Sequence, residues 1–236
     1  MVKINSFNTV EPLLEQAARD LRRLILSINS TGGAHSDGVA RIVLTGGGAG
    51  IGILRELRTM DINWELVHLF FGDERNVSVD HSDSNEGQAR EALLDHIDIP
   101  EANIHGYGLG GVDLEDAAHS YEAVLSDFAP QGFDLHLLGM GGEGHINSIF
   151  PHSPIQKESR RLVLPVFDSP KPPRERVSLT YPAIRRSDYV WFLVSGSEKS
   201  RAASALVGCE DFTQWPATGA YGRKETVLYA TQDVLS

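Results

Sequence analysis

Ala40-Arg-Ile-Val-Leu-Thr45 runs straight into Gly46-Gly-Gly-Ala-Gly50, and a helical apolar spacing resumes immediately afterwards. A short β-branched run reads as a buried strand and a glycine cluster as a tight loop, so the junction predicts strand, glycine loop, helix. Repeated, that step builds a parallel sheet, because consecutive parallel strands need a crossover and the crossover is usually a helix. Upstream, Val10, Leu13, Leu14, Ala17, Ala18, Leu21, Leu24, Ile25 and Ile28 recur at three-and-four spacing and predict an amphipathic helix over residues 10–29. Downstream, the apolar run at residues 66–71 stops at Gly72-Asp-Glu-Arg75, and a helical pattern follows near residues 84–96. Residues 117–128 read as helix, 133–138 as strand and 139–144 as a second glycine loop. Strands near 161–165, 176–180 and 189–194, a helix over 198–207 and a last strand at 226–229 complete the pattern. The alternation predicts an α/β fold with a mostly parallel sheet and helices on both faces.

The chain has 236 residues, within the reach of one large α/β unit, and carries no repeat or linker, so a single domain over residues 1–236 is expected. At 41% hydrophobic and 22% charged it has the balance of a folded globular protein, which excludes disordered and collagen-like classes. Lys and Arg number 21 against 32 Asp and Glu, a formal charge of -11. Such a surface repels nucleic acid and anionic lipid, so no nucleic-acid or membrane partner is expected, and an anionic ligand needs a local basic cluster. The one cysteine, Cys209, rules out an internal disulfide and suits a reducing compartment. With no leader pattern at the N-terminus and no long apolar run, the expected location is cytoplasmic.

Ligands of open parallel sheets lie beyond the carboxyl ends of the strands, which selects the loops to read closely. Gly46, Gly47 and Gly48 follow a strand and precede a helix, so their N–H groups can cradle an anion; a tight packing turn is the alternative. No Gly-Lys-Ser/Thr follows, and the next strand does not end in an acid, so neither a P-loop nor a dinucleotide site is indicated. In Gly139-Met-Gly-Gly-Glu-Gly-His145 a strand meets a loop stripped of side chains, from which His145 projects. An imidazole titrating near neutrality can take a proton from water, although a structural histidine fits the same pattern. No His-Glu-x-x-His or similar spacing joins any of the nine histidines, so no metal site is expected. Asp73, Glu74 and Arg75 form either part of a polar site or a surface salt-bridged turn. Lys171, Arg174, Arg176 and Lys199 supply the basic cluster that the net charge demands.

Taken in order, Gly72-Asp-Glu-Arg75, Asp83-Ser-Asn85, Gly139-Met-Gly-Gly-Glu-Gly-His-Ile-Asn-Ser-Ile-Phe-Pro151, Pro170-Lys-Pro-Pro-Arg-Glu-Arg-Val-Ser-Leu-Thr180, Gly196-Ser-Glu-Lys199 and Trp215-Pro-Ala217 resemble the 6-phosphogluconolactonase family over nearly the whole chain. The resemblance implies a modified Rossmann-like sheet shared with glucosamine-6-phosphate deaminases. It implies hydrolysis of 6-phosphoglucono-1,5-lactone in the oxidative pentose phosphate pathway, without metal or cofactor. It makes His145 the general base, with Glu143 as the carboxylate two residues before it. Arg75 becomes a substrate-binding arginine, Arg176 and Lys199 sugar-phosphate contacts, and residues 46–50 the phosphate loop; Asp73 is also expected to bind substrate. Either Asp73 or Glu74 is expected to orient Arg75, at the lactone end or at the phosphate.

The chain departs from the family pattern at Gly48-Ala49-Gly50, where Ser-Thr-Pro is usual, at Glu143, where an aspartate is usual, and at Ile146-Asn147, where Thr-Ala is usual. A deaminase carries a glutamate five residues after the histidine, where this chain has Phe150, so the deaminase is the weaker reading. A non-catalytic sugar-phosphate binding module would keep the glycine loop, Arg176 and Lys199 without needing His145.

Overall fold

The computed structural model describes all 236 residues. In chain order the elements are β1 (Val2–Phe7), α1 (Val10–Thr31), β2 (Ala40–Leu44), α2 (Gly47–Leu57), β3 (Val67–Phe71), β4 (Asp73–Arg75), α3 (Asn85–Ala92), β5 (Ile104–His105), α4 (Leu114–Phe128), β6 (Leu135–Leu138), β7 (Val163–Val166), β8 (Arg176–Leu179), α5 (Tyr181–Ile184), β9 (Tyr189–Val194), α6 (Ser200–Gly208) and β10 (Glu225–Thr231), joined by turns and short 3₁₀ segments. The seven-stranded main sheet has the order β1-β10-β9-β6-β2-β3-β5, and every pair in it is parallel. All five residues of β2 and all four of β6 are buried, the continuous apolar signature of a strand covered on both sides.

Alternation along β9 separates the two faces. Trp191 and Leu193 join the large cluster that contains Leu13, Ala17 and Leu21 of α1 and Ile53 and Leu54 of α2, whereas Val190, Phe192 and Val194 join a second cluster with Ile184 of α5 and Ala202, Ala203 and Leu206 of α6. The helices therefore lie on both faces, as the alternation predicts. Local chemistry fixes their ends. Helix α1 stops where Gly32 turns left-handed at φ 101° and its N–H returns to the Ile28 carbonyl. Asp113 caps α4 by accepting from the N–H groups of Glu115 and Asp116.

Three features differ from expectation. The strands read near 161–165 and 176–180 do not enter the main sheet; β7 and β8 pair antiparallel with each other and with β4 in a separate three-stranded sheet. The chain between them is too short for a parallel crossover and holds no helix, so a return connection is forced. Asp73, Glu74 and Arg75 are the strand β4 rather than a surface turn, with Asp73 and Glu74 buried. Helix α2 begins at Gly47, so the glycines read as loop form its first turn. Strands β1 and β5 also go unread, one at the chain's start with Lys3 and Asn5 breaking the apolar run, the other only two residues long.

Helix α4 bridges the two sheets. Tyr121 Oη accepts from the Phe71 N–H and donates to the His105 carbonyl, while Glu122 accepts from the N–H groups of Leu162 and Val163 at the start of β7. The sheet also buries histidines. Burial pushes His136 down to about 3 and His105 to about 4, and lowers His68, whose Nδ1 meets His105 Nε2 at 2.9 Å. Their folded values lie below the unfolded imidazole value of about 6.5, so the unfolded chain binds more protons through that window. Stability is therefore complete above about pH 6.5 and falls as the pH drops toward the folded values, by about 1.4 kcal/mol per pH unit for each of His136 and His105. Glu74 and Asp134, raised by burial, oppose the loss only once carboxylates begin to titrate. We expect the melting temperature to drop by roughly 5–10 °C between pH 7 and pH 5. A melting temperature flat across that interval contradicts neutral burial of these rings.

Candidate active site

Strand order reverses at β2 and β6, since the chain runs outward from β2 through β3 to β5 and then returns to the other side of β2. A crevice opens beyond the carboxyl ends of strands at such a point. Here it is a polar cleft of about 210 Å³, bounded by the turn after β2, the glycine loop after β6, and β4 with its neighbour β8. Thr45 ties the first two walls together, its Oγ1 accepting from the Gly139 N–H at 3.1 Å. Gly46, Gly47, Gly48, Asp73, Arg75, His145, Arg176 and Lys199 all line the cleft, so residues scattered over more than 150 positions converge as expected.

The first wall is the bare start of α2. Its N-cap, Gly46, offers no side chain, so the first-turn N–H groups carry no cap. A side chain at Gly46 would drive into Asn85 Oδ1, whereas Gly47 and Gly48 face open space. A helix N-terminus stripped in this way presents partial positive charge and unused donors to an anion. Lys199, at the end of the turn leading into α6, adds an ammonium with no partner within the chain.

The second wall is built on β4. Asp73 is a hub: Oδ2 accepts from Ser148 Oγ at 2.6 Å, Oδ1 accepts from Asn85 Nδ2 at 3.1 Å, and Arg176 Nη1 lies 3.8 Å from Oδ2. Asn85 in turn accepts from Arg75 Nη1 at 2.6 Å, and Arg75 also donates to the Asp83 carbonyl at 2.8 Å. Asp73 thus acts on Arg75 only through Asn85. Glu74 does not orient the Arg75 guanidinium; it caps α3, accepting from the N–H groups of Asn85 and Glu86 and from Ser84 Oγ. Arg176 is 4% exposed, and its charged form is disfavoured by burial. Nε donates to the Pro173 carbonyl and Nη2 to the Lys171 carbonyl, each at 2.9 Å.

The third wall carries the imidazole. His145 Nδ1 lies 3.0 Å from Glu143 Oε1, and since a carboxylate only accepts, Nδ1 carries the proton and Nε2 keeps its lone pair. The hydrogen bond from His145, helped by Lys171, holds the Glu143 carboxyl far below the usual range, so it stays ionised. Phe150 stacks on the ring at 4.5 Å between centroids. Gly141 must lack a side chain here, because a Cβ would lie 2.0 Å from His145 Nδ1. Within this loop the Gly141 N–H bonds the His145 carbonyl and the Gly144 N–H bonds the Gly141 carbonyl. The N–H groups of Met140 and Gly142 have no partner within the chain, and of the two residues only Met140 lines the cleft, where its N–H is left for a developing oxyanion.

The family model for glucosamine-6-phosphate isomerases/6-phosphogluconolactonase matches residues 11–229 of this chain. The chain belongs to that family. It is 49% identical over 223 residues to the 6-phosphogluconolactonase of Mycobacterium tuberculosis, covering 90% of each chain. It is 41% identical over 187 residues to that of Synechocystis, covering 76% of this chain and 77% of the other. The crystal structure of 6-phosphogluconolactonase from Thermotoga maritima superposes with a TM-score of 0.84 at 26% identity, covering 98% of this chain and 100% of that one.

Within the family frame, two members of the expected basic cluster leave the cleft. Arg174 is exposed and pairs with Asp168 at 2.6 Å, and Lys171 pairs with Glu143 at 2.7 Å. Thr45, Asn147 and Ser148 go unread in the sequence as site residues. Asn147 lines the cleft at a left-handed φ of 46°, and its Nδ2 donates to buried His136 Nε2 at 3.4 Å. The signal for it lay in its departure from the family pattern. No three His, Cys, Asp or Glu side chains converge as a metal-ligating group, and no helix is long and apolar enough to cross a membrane.

Proposed function

We propose that this chain hydrolyses 6-phospho-D-glucono-1,5-lactone to 6-phospho-D-gluconate, the second step of the oxidative pentose phosphate pathway, with His145 as general base. The observation that carries the reading is a carboxylate-oriented imidazole with an available Nε2, in the same cleft as an uncapped helix N-terminus and a lone ammonium. One end suits a phosphate and the other a water to be deprotonated. The phosphate rests on the N–H groups of Gly46, Gly47 and Gly48 and is neutralised by Lys199 and Arg75. Arg75 belongs to that end because its guanidinium is held by Asn85, whose Oδ1 packs directly against Gly46. The lactone carbonyl, already electrophilic, then faces His145. The base takes a proton from water as the oxygen attacks, and the resulting imidazolium returns a proton to the departing ring oxygen. Charge growing on the carbonyl oxygen meets the N–H of Met140.

A deaminase-like isomerisation has less support, since Phe150 packs an apolar ring against His145 where that reaction would need a carboxylate. The deciding assay measures opening of the phosphorylated lactone against the spontaneous rate, with glucosamine-6-phosphate as the control substrate. No acceleration of lactone opening, or turnover of the amino sugar instead, defeats the proposal.

Lys199→Ala and Arg75→Ala should each raise KM for the phosphorylated lactone by roughly 10- to 100-fold, the worth of a charged hydrogen bond, with kcat changed far less. Neither should matter for unphosphorylated gluconolactone. An equal loss on both lactones would move these residues to the ring end.

A further inference from the structure

We infer that Lys171 is a positioning residue: it pins Glu143 against His145, and its own backbone ties that pair to Arg176 of β8. Glu143 Oε1 is the acceptor shared by Lys171 Nζ at 2.7 Å and His145 Nδ1 at 3.0 Å. The two nitrogens lie 3.4 Å apart, as expected of two donors converging on one oxygen. Lys171 is also fixed from behind. Its carbonyl accepts from Arg176 Nη2 and from Ser169 Oγ, its N–H donates to Ser169 Oγ, and the fully buried Ser169 donates its own N–H to the Arg174 carbonyl. A loop stitched in this way delivers the ammonium to one place.

The pair itself is too exposed to matter much for stability, with Lys171 at 49% and Glu143 at 37%. Its consequence is orientation. Without Lys171, Glu143 is a partly exposed side chain held only through the ring it is supposed to orient, and it regains rotamer freedom. The Nδ1 hydrogen bond is then made only part of the time. The tautomer with its proton on Nε2 gains population, and that tautomer has no lone pair to offer a water. Arg176, which lines the cleft, therefore also serves the base, because the carbonyl it holds belongs to Lys171.

The activity readouts rest on the lactonase reading; the spectroscopic one does not. Full-length Lys171→Met and Lys171→Arg are compared with the unmutated chain by histidine ¹⁵N NMR and by steady-state kinetics. The unmutated chain should give His145 as the Nδ1–H tautomer. Lys171→Met should give a mixture of tautomers and lose kcat by about tenfold while KM for the phosphorylated lactone stays within about twofold. Lys171→Arg, which keeps a donor for Glu143, should recover most of both signals. An unchanged His145 spectrum in Lys171→Met overturns the inference, whether kcat is kept or lost, since a loss without a tautomer change means direct contact with substrate. If the unmutated chain does not accelerate lactone opening but Lys171→Met still redistributes the tautomers, the lactonase reading fails and the positioning role stands.

Discussion

His145→Ala should lower kcat on the phosphorylated lactone by about 10²–10⁴ and leave KM nearly unchanged, the signature of a lost general base. The geometry gives the ring only one role in the cleft. Its Nδ1 is spent on Glu143, its face lies on Phe150, and the glycine at position 141 is what lets it come so close. None of these contacts reaches Gly46, Lys199 or Arg75, so the phosphate end should bind as before. A circular-dichroism melt would show the variant folded, because the ring is only partly buried and its loop is closed by backbone hydrogen bonds between Gly141, Gly144 and residue 145. Turnover within about threefold of the unmutated chain, well short of what a base contributes, would transfer the glycine loop to the binding-module reading.

Arg176→Ala should be the more damaging variant for the molecule as a whole. The sequence suggests a sugar-phosphate contact, whose loss raises KM much more than it lowers kcat. The structure makes it a buried cation that holds two backbone carbonyls and lies beside the Asp73 carboxylate. Its removal strands those carbonyls and leaves a buried acid without its cation, a loss of about 3–5 kcal/mol for a broken buried pair. In a chain of this size that corresponds to a melting temperature lower by about 5–15 °C. Catalysis should suffer at both ends, with kcat/KM down by roughly 10²–10³ and the loss divided between KM and kcat. Arg176→Lys should restore little, because one ammonium cannot reproduce a fork that serves two carbonyls and still faces the cleft. A pure KM effect with an unchanged melting temperature would return Arg176 to the simple role of phosphate ligand.

Much of this was legible in the chain as written. Residues 40–50 set the α/β class because a buried apolar strand ending in glycines has few other readings, and the three-and-four spacing of residues 10–28 placed α1 within two or three residues. The loop residues were legible for a related reason. Gly46, Gly47, Gly48, Asp73, Arg75, His145, Arg176 and Lys199 are polar or glycine positions next to strand ends, where topology collects ligands, and all of them line one cleft. The elements that escaped are those with weak periodic signal: two-residue β5, the interrupted β1, and a small sheet whose strands look like any others until they pair.

What only the tertiary structure decided is which partner each charge takes. Local spacing fixes whether a side chain points to one face or the other, but a hydrogen bond between residues 171 and 143, or 73 and 148, depends on loops meeting across the sheet. In the sequence Asp73 and Glu74 are equal neighbours of Arg75. In the fold, alternation along β4 sends Glu74 to the N-terminus of α3 and leaves Asp73 in the cleft, because successive residues of a strand face opposite ways. Lys171, Arg174 and Arg176 form one basic cluster in the sequence, yet one ends on Glu143, one on exposed Asp168 and one buried beneath the loop between them. Composition shows that an anion pocket needs cations. Only packing, by deciding which of those cations are already neutralised and which still face the cleft, shows which ones an anion would meet.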